Sequence, residues 1–393
     1  MKDYLGSYKV NEKIFFDKIE AILEANHTSA DISWDFHQDK FRKVDWRIEP
    51  TLSLRELFKI RAQQIRDEYD YVVIMFSGGA DSTNVLYSFL NNNIKIDEIV
   101  AGIPLSGLRD FKASLDTNSA NNASEWLLTT MPALQTVSQN HPEIKISIND
   151  FFENMLEFKT DEWIMKSSDF VHPTTAARYR LDKLKHLKAL ADQGKKIAII
   201  YGSEKPQVQL IKGHFISTIY DVGVNVPRQP FEDFYDNADI VLFYSTPTMP
   251  EILIKQSHEI IKAIHLQPRY EYIKGLMFNH DSPPEVKAQY ENSSYQRAIV
   301  PIIYPDLDMT KVFQAKKSKD FFMADHDNWF HDLHKDTRIN QLVISDFENF
   351  YKSINPKYLF PKGNKNGFIN YRNSYVIGSL EKFKELYIKP SQI

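Results

Sequence analysis

The sequence predicts an α/β fold: a doubly wound, mostly parallel sheet with helices on both faces, a helical N-terminal extension and a mixed C-terminal region. Three observations carry this reading. Short apolar runs of strand length, at residues 72–76, 96–103 and within 195–205, are separated by stretches with helical spacing of apolar residues. The run at 72–76 is apolar throughout, which suits a strand covered on both faces. Finally, strand, helix and strand succeed one another from residue 72 to residue 103, and such a unit closes as a right-handed crossover.

Along the chain, residues 1–52 read as an extension. Phe16, Ile19, Ile22 and Leu23 define an amphipathic helix over 15–25, followed by the polar, tryptophan-bearing DISWDFHQDKFRKVDW. Residues 53–266 hold the α/β core. Its first helix spans 53–67, with Leu54, Leu57, Phe58 and Ile60 on one face, Ser53 as N-cap and Glu56 completing a capping box. A helix follows at 82–91 on Val85, Leu86 and Phe89, then the strand at 96–103, a polar loop at 106–123 and a helix at 122–130. Ile144, Ile146 and Ile148 alternate as a third strand, with helix beyond it to residue 163. After the run within 195–205, Pro206 is placed to open another helix. Residues 240–244 form a further strand and 250–264 a helix. Residues 267–393 form a C-terminal α+β region with a hairpin expected at 362–368.

With 393 residues the chain can bury a substantial core, and 42% hydrophobic against 25% charged residues is the balance of a globular protein. No apolar stretch reaches bilayer length and the N-terminus lacks an apolar leader core, so a cytoplasmic location without membrane attachment is expected. The chain has no cysteine, which excludes disulfides, thiolate metal sites and cysteine nucleophiles. A net charge of −4 gives no overall attraction to nucleic acid.

The chemistry concentrates where the first strand breaks. YVVIMF runs into Ser77-Gly78-Gly79-Ala80-Asp81-Ser82 and then into helix. Adjacent glycines admit positive φ and put no Cβ between backbone and ligand, so successive N–H groups can converge on one anion. The unpaired amides of the following helix terminus face the same point. Ser77 and Ser82 add hydroxyls, and Asp81 can cap the helix or hold a cation beside phosphates. An ordinary strand-to-helix turn is the competing explanation, but it demands neither both serines nor the buried strand.

FSGGADS resembles the SGGxDS signature of the PP-loop, or N-type, ATP pyrophosphatases, the adenine nucleotide alpha-hydrolase-like group that includes the synthetase domain of asparagine synthetase. The resemblance implies a HUP-like sheet, ATP and Mg²⁺ as cofactors, and an AMP-forming ligase or amidotransferase-type synthetase that adenylates an acceptor and releases pyrophosphate. It further implies that Phe76, Ser77, Gly78, Gly79, Asp81 and Ser82 bind the nucleotide, that Asp81 lies near the metal, and that backbone at Ile103 meets adenine. Without cysteine the chain carries no thiolase or glutaminase nucleophile of its own, so a small-molecule acceptor and a separate nitrogen donor are the expected partners.

A second locus repeats the pattern. KKIAIIYGSEK ends its strand in Gly202, Ser203, Glu204 and Lys205, and in open α/β sheets such loops line one crevice. Lys205 is the cation assigned to phosphate or adenylating oxygen. Glu204 is assigned as magnesium ligand or orienting base, against the alternative of an exposed ion pair. GSEKPQ departs from the loops of the relatives, so the acceptor does not carry over. Residues 176–213 hold nine basic and three acidic side chains, which keeps a nucleic-acid substrate as the alternative, alongside a non-catalytic nucleotide-binding protein. His172, His186, His214, His326, His331 and His334 form no clear metal set, although DHDNWFHDLH places His331 and His334 at helical spacing.

Overall fold

The protein is represented by a computed structural model that describes residues 6–103, 126–151, 154, 183–203, 205–221, 236–266, 294–308, 349–359 and 368–388. The N-terminal part differs from expectation. Strands β1 (Ser7–Val10) and β2 (Lys13–Phe15) form an antiparallel hairpin, and β3 (Ile32–Asp35) pairs with β1 on its other edge. Strands of three or four residues are too short for alternation to emerge, and only Tyr8, Val10 and Trp34 of the three strands are buried. The expected helix does form, as α1 (Lys18–Thr28), because Asp17 caps it by accepting from Ile19 N at 2.7 Å and Glu20 N at 3.1 Å. A single turn, α2 (Gln38–Phe41), completes the segment.

Helix α3 (Leu54–Glu68) starts at the Ser53–Glu56 capping box read from sequence. It leads into β4 (Tyr71–Met75), α4 (Ala80–Leu90) and β5 (Glu98–Ile103). A π-helical turn at Trp126–Thr130 precedes α5 (Met131–Asn140), so this helix lies mostly beyond the expected 122–130; Pro132 suits its first turn, where no N–H partner is needed. Strand β6 (Lys145–Asp150), α6 (Lys185–Asp192) and β7 (Ile197–Tyr201) follow.

The largest correction comes after β7. Pro206 opens no helix; β8 (Gln207–Ile211) and β9 (His214–Tyr220) form an antiparallel hairpin. Its two-residue turn has Lys212 at φ 47° and Gly213 at φ 79°, the left-handed pair that matches strand twist. Strand β10 (Ala238–Leu242) then returns to the main sheet, and α7 (Glu251–Ile260) continues into a π-helical turn at Ile261–His265. Helix α8 (Ser294–Ile303), a 3-10 turn at Pro356–Tyr358, β11 (Arg372–Ser379) and α9 (Leu380–Tyr387) follow. The expected hairpin tip falls outside the described residues, while an antiparallel bridge between Leu359 and Phe368 joins its flanks.

Five parallel strands lie in the order β10-β7-β4-β5-β6, flanked by helices, an arrangement compatible with a doubly wound fold. Chain order therefore reverses between β4 and β7. Ligands of open α/β sheets gather at the carboxyl ends of the two strands flanking such a reversal. A second sheet, β11-β9-β8, brings the C-terminal strand onto the hairpin, and Asn373 ties it to the N-terminal sheet by accepting from Phe36 N at 2.9 Å and donating to Trp34 O at 3.0 Å. No helix among the described residues is long and apolar enough to cross a membrane.

His265, at the end of the π-helical turn, is 4% exposed with its ring 4.9 Å from that of Phe215. Burial pushes its imidazole down from 6.5 to about 4. The unfolded chain then binds the proton more readily than the folded one, so stability is complete above pH 6.5 and falls as pH drops towards about 4. His265→Leu is expected to flatten that part of the stability curve; an unchanged slope between those pH values would refute the assignment.

Candidate functional site

Strand β4 is covered on both faces, with Val72, Val73 and Ile74 at most 1% exposed, so its carboxyl end is fixed in place. Phe76 extends the ladder by donating to Val100 O at 2.8 Å, and the chain then turns through Gly78 at φ 76°. That conformation is matched by a lack of space. A Cβ on Gly78 would collide with Thr130 Oγ1 and sit 3.0 Å from Thr129 Oγ1. Thr130 Oγ1 in turn donates to Ser77 O at 2.9 Å, so the π-helical turn clamps the loop from outside.

Inside the loop the two serines found by sequence meet. Their Oγ atoms are 3.2 Å apart, Ser82 Oγ accepts from Ser77 N at 3.2 Å, and Gly79 N donates to Ser77 Oγ at 3.3 Å. Gly79 is the N-cap of α4 and no side chain caps the helix, which leaves its first amides directed at the loop.

The second loop is pressed against the first. A Cβ on Gly202 would lie 2.8 Å from Asp81 O and 3.0 Å from Ser82 N, so only glycine lets β7 leave the sheet this close to α4. Lys205 closes the contact by donating to Asp81 Oδ1 at 2.7 Å and Oδ2 at 2.5 Å, with its side chain 10% exposed. Ser203 Oγ is buried and has no hydrogen-bond partner among the described residues. Glu204 lies outside the described residues. Ile103 ends β5, three residues past the Met75–Val100 pairing, and is 1% exposed.

No protein-family model matches this chain, and no curated protein matches it. Residue chemistry therefore has to carry the functional reading.

Two tyrosines that sequence reading missed complete the arrangement. Tyr304, just past α8, donates its hydroxyl to Asp81 Oδ1, and Tyr244, just past β10, donates to Asp81 O at 2.8 Å. Asn84 Nδ2 supports Tyr244 at 2.9 Å. Burial, reinforced by the Asp81 charge, pushes both phenols well above the usual tyrosine range, so both stay neutral donors. Neither follows a motif: Tyr244 sits at the end of an apolar run and Tyr304 reaches Asp81 across more than two hundred residues.

The residues fit a polyphosphate. Uncapped helix amides, a positive-φ glycine, paired hydroxyls, a neighbouring ammonium and an unpartnered buried hydroxyl all suit phosphate oxygens. Magnesium needs only one or two carboxylates when phosphate and water supply its other oxygens, and Asp81 can provide that share. Among the described residues no three acidic or histidine side chains gather as a metal site. His186 pairs with Glu98 Oε1 at 2.8 Å at the start of β5, and His214 lies exposed in the β8–β9 hairpin. His172, His326, His331 and His334 lie outside the described residues.

Proposed function

We propose that the chain is a PP-loop-type ATP pyrophosphatase with a HUP-like sheet: an AMP-forming ligase that adenylates a small-molecule acceptor in the cytoplasm and takes nitrogen from a separate donor. The observation that carries this reading is the junction of the two loops. The SGGADS turn and the Gly202 to Lys205 loop leave neighbouring parallel strands where chain order reverses, and they meet at Asp81. Ser77, Gly78, Gly79 and Ser82 would hold the departing pyrophosphate, with Lys205 neutralising the charge that grows on it. The acceptor oxygen attacks the α-phosphorus, the α–β bridging bond breaks with its electrons leaving on pyrophosphate, and the amine then displaces AMP. Bound Mg²⁺ would supply charge neutralisation at the phosphates, with Asp81 as its protein ligand.

The test is product analysis with ATP, Mg²⁺ and candidate acceptors. AMP and pyrophosphate are expected in equal amounts. Ser77→Ala should slow their release about tenfold or more, the scale of one hydrogen bond to a charged group. ADP with phosphate would overturn the proposal. ATP binding without turnover would reduce the chain to a nucleotide-binding protein, and salt-sensitive binding of RNA or DNA would move the acceptor to nucleic acid.

A further inference from the structure

Asp81 is held from more sides than a simple phosphate loop requires. Lys205 engages both carboxylate oxygens, Tyr304 donates to Oδ1, and Tyr244 donates to the main-chain oxygen of the same residue. These partners differ in freedom. Lysine is a point charge on a flexible stem and can follow the strongest anion within reach. Tyr304 cannot move in that way. It is 0% exposed, its ring lies 5.3 Å from that of Tyr244 and 6.3 Å from that of Phe58, and its amide donates to Val300 O at 2.9 Å. Just beyond it, Arg55 of α3 donates to Asp306 Oδ1 at 2.7 Å and to Pro305 O at 3.3 Å, an exposed link between this segment and α3.

A polyphosphate entering the loop brings several negative charges beside Asp81 and competes for Lys205. Once the ammonium turns to phosphate, the carboxylate loses its counter-charge and faces repulsion. A carboxylate free to swing away would no longer be available for a bridging cation. We propose that Tyr304 is a positioning residue: its hydroxyl holds the Asp81 carboxylate in place when Lys205 transfers to an incoming polyphosphate. This rests on the polyphosphate reading of the loop. The segment after α8 thereby becomes part of the nucleotide site, although its residues touch no ligand themselves.

The test is a double-mutant cycle read by calorimetric binding of Mg·ATP and of Mg·tripolyphosphate to the full chain. Tyr304→Phe keeps the ring and removes the donor; it should weaken binding of both probes about tenfold, the scale of one hydrogen bond to a charged group. Against Asp81→Ala the same change should alter binding by less than about twofold, because the hydroxyl then has no carboxylate to hold. A tenfold loss in both backgrounds, or none in the wild type, overturns the positioning role and leaves the polyphosphate reading standing. Failure of the wild type to bind either probe overturns both. p-Aminophenylalanine at position 304, which keeps a donor on the same ring, should bind within about twofold of wild type. A loss there without a change in thermal stability also counts against the role, and this variant serves if Tyr304→Phe does not fold.

Discussion

Asp221→Asn is expected to cost about 3–5 kcal/mol of folding free energy in chemical denaturation, the scale of leaving one member of a buried ion pair alone. Lys18 Nζ lies 2.8 Å from Asp221 Oδ2, and the two side chains are 1% and 0% exposed. Tyr8 adds its hydroxyl to Oδ2 at 3.1 Å, Tyr371 N donates to Oδ1 at 3.0 Å, and the Tyr371 ring lies 5.5 Å from the ammonium. Asparagine could keep the bond from Tyr371 but not the negative charge, so the ammonium of Lys18 would remain in a dry interior. The penalty should therefore exceed that of any exposed pair, such as Lys196 with Glu68 at 3.0 Å, where Glu68→Gln is expected to change stability by less than about 1 kcal/mol. Replacing both partners, Lys18→Met with Asp221→Leu, should recover only part of the loss, because it removes the charges but also takes an acceptor from the Tyr8 hydroxyl and the Tyr371 amide. A single variant costing under about 1 kcal/mol would show that water or another charge reaches the pair.

That ion pair also marks how far sequence reasoning reaches. Lys18 sits in α1, Asp221 follows β9 and Tyr371 precedes β11, three segments brought together only by tertiary packing. No local pattern encodes such a contact. The parallel strands are different: Val72, Val73 and Ile74, or Ile197 to Ile200, are apolar on both faces because helices cover both, and this is written in consecutive residues. The Ser53–Glu56 capping box is equally local, with both reciprocal bonds fixed by a spacing of three. The β8–β9 hairpin departs from the helix expected at Pro206, because Val208 and the Lys212-Gly213 turn carry the strand signal in a segment too short for periodicity to prevail. At the candidate site the same division holds. Ser77, Gly78, Gly79, Asp81 and Ser82 declare themselves by adjacency, and Gly202 with Lys205 by repetition of the strand-end pattern. Thr130, Tyr244 and Tyr304 act through positions that only the folded chain brings to Asp81 and Ser77.

Gly202→Val is expected to lower nucleotide-dependent pyrophosphate release about 100-fold or more, the loss that follows from displacing site groups by up to about 1 Å. The cause is contact and not backbone strain. A Cβ at this position would meet Asp81 O at 2.8 Å, Asp81 C at 2.9 Å and Ser82 N at 3.0 Å. All three atoms belong to the backbone of the first turn of α4, so no side chain can rotate aside. Either β7 withdraws its loop, taking Lys205 from Asp81, or α4 shifts and moves the uncapped amides at its N-terminus. Both responses damage the same site, with an overpacking cost of about 1–3 kcal/mol in stability. Gly194 gives the matching control: at φ 84° it sits in the left-handed region, yet a Cβ there meets nothing within 4 Å. Gly194→Ala should therefore cost about 1–2 kcal/mol of stability from backbone strain alone while nucleotide binding stays intact. Equal losses of activity in the two variants would mean that general destabilisation, and not closure of the two loops on Asp81, governs the site. Retained activity in Gly202→Val at unchanged stability would remove the second loop from the nucleotide site altogether.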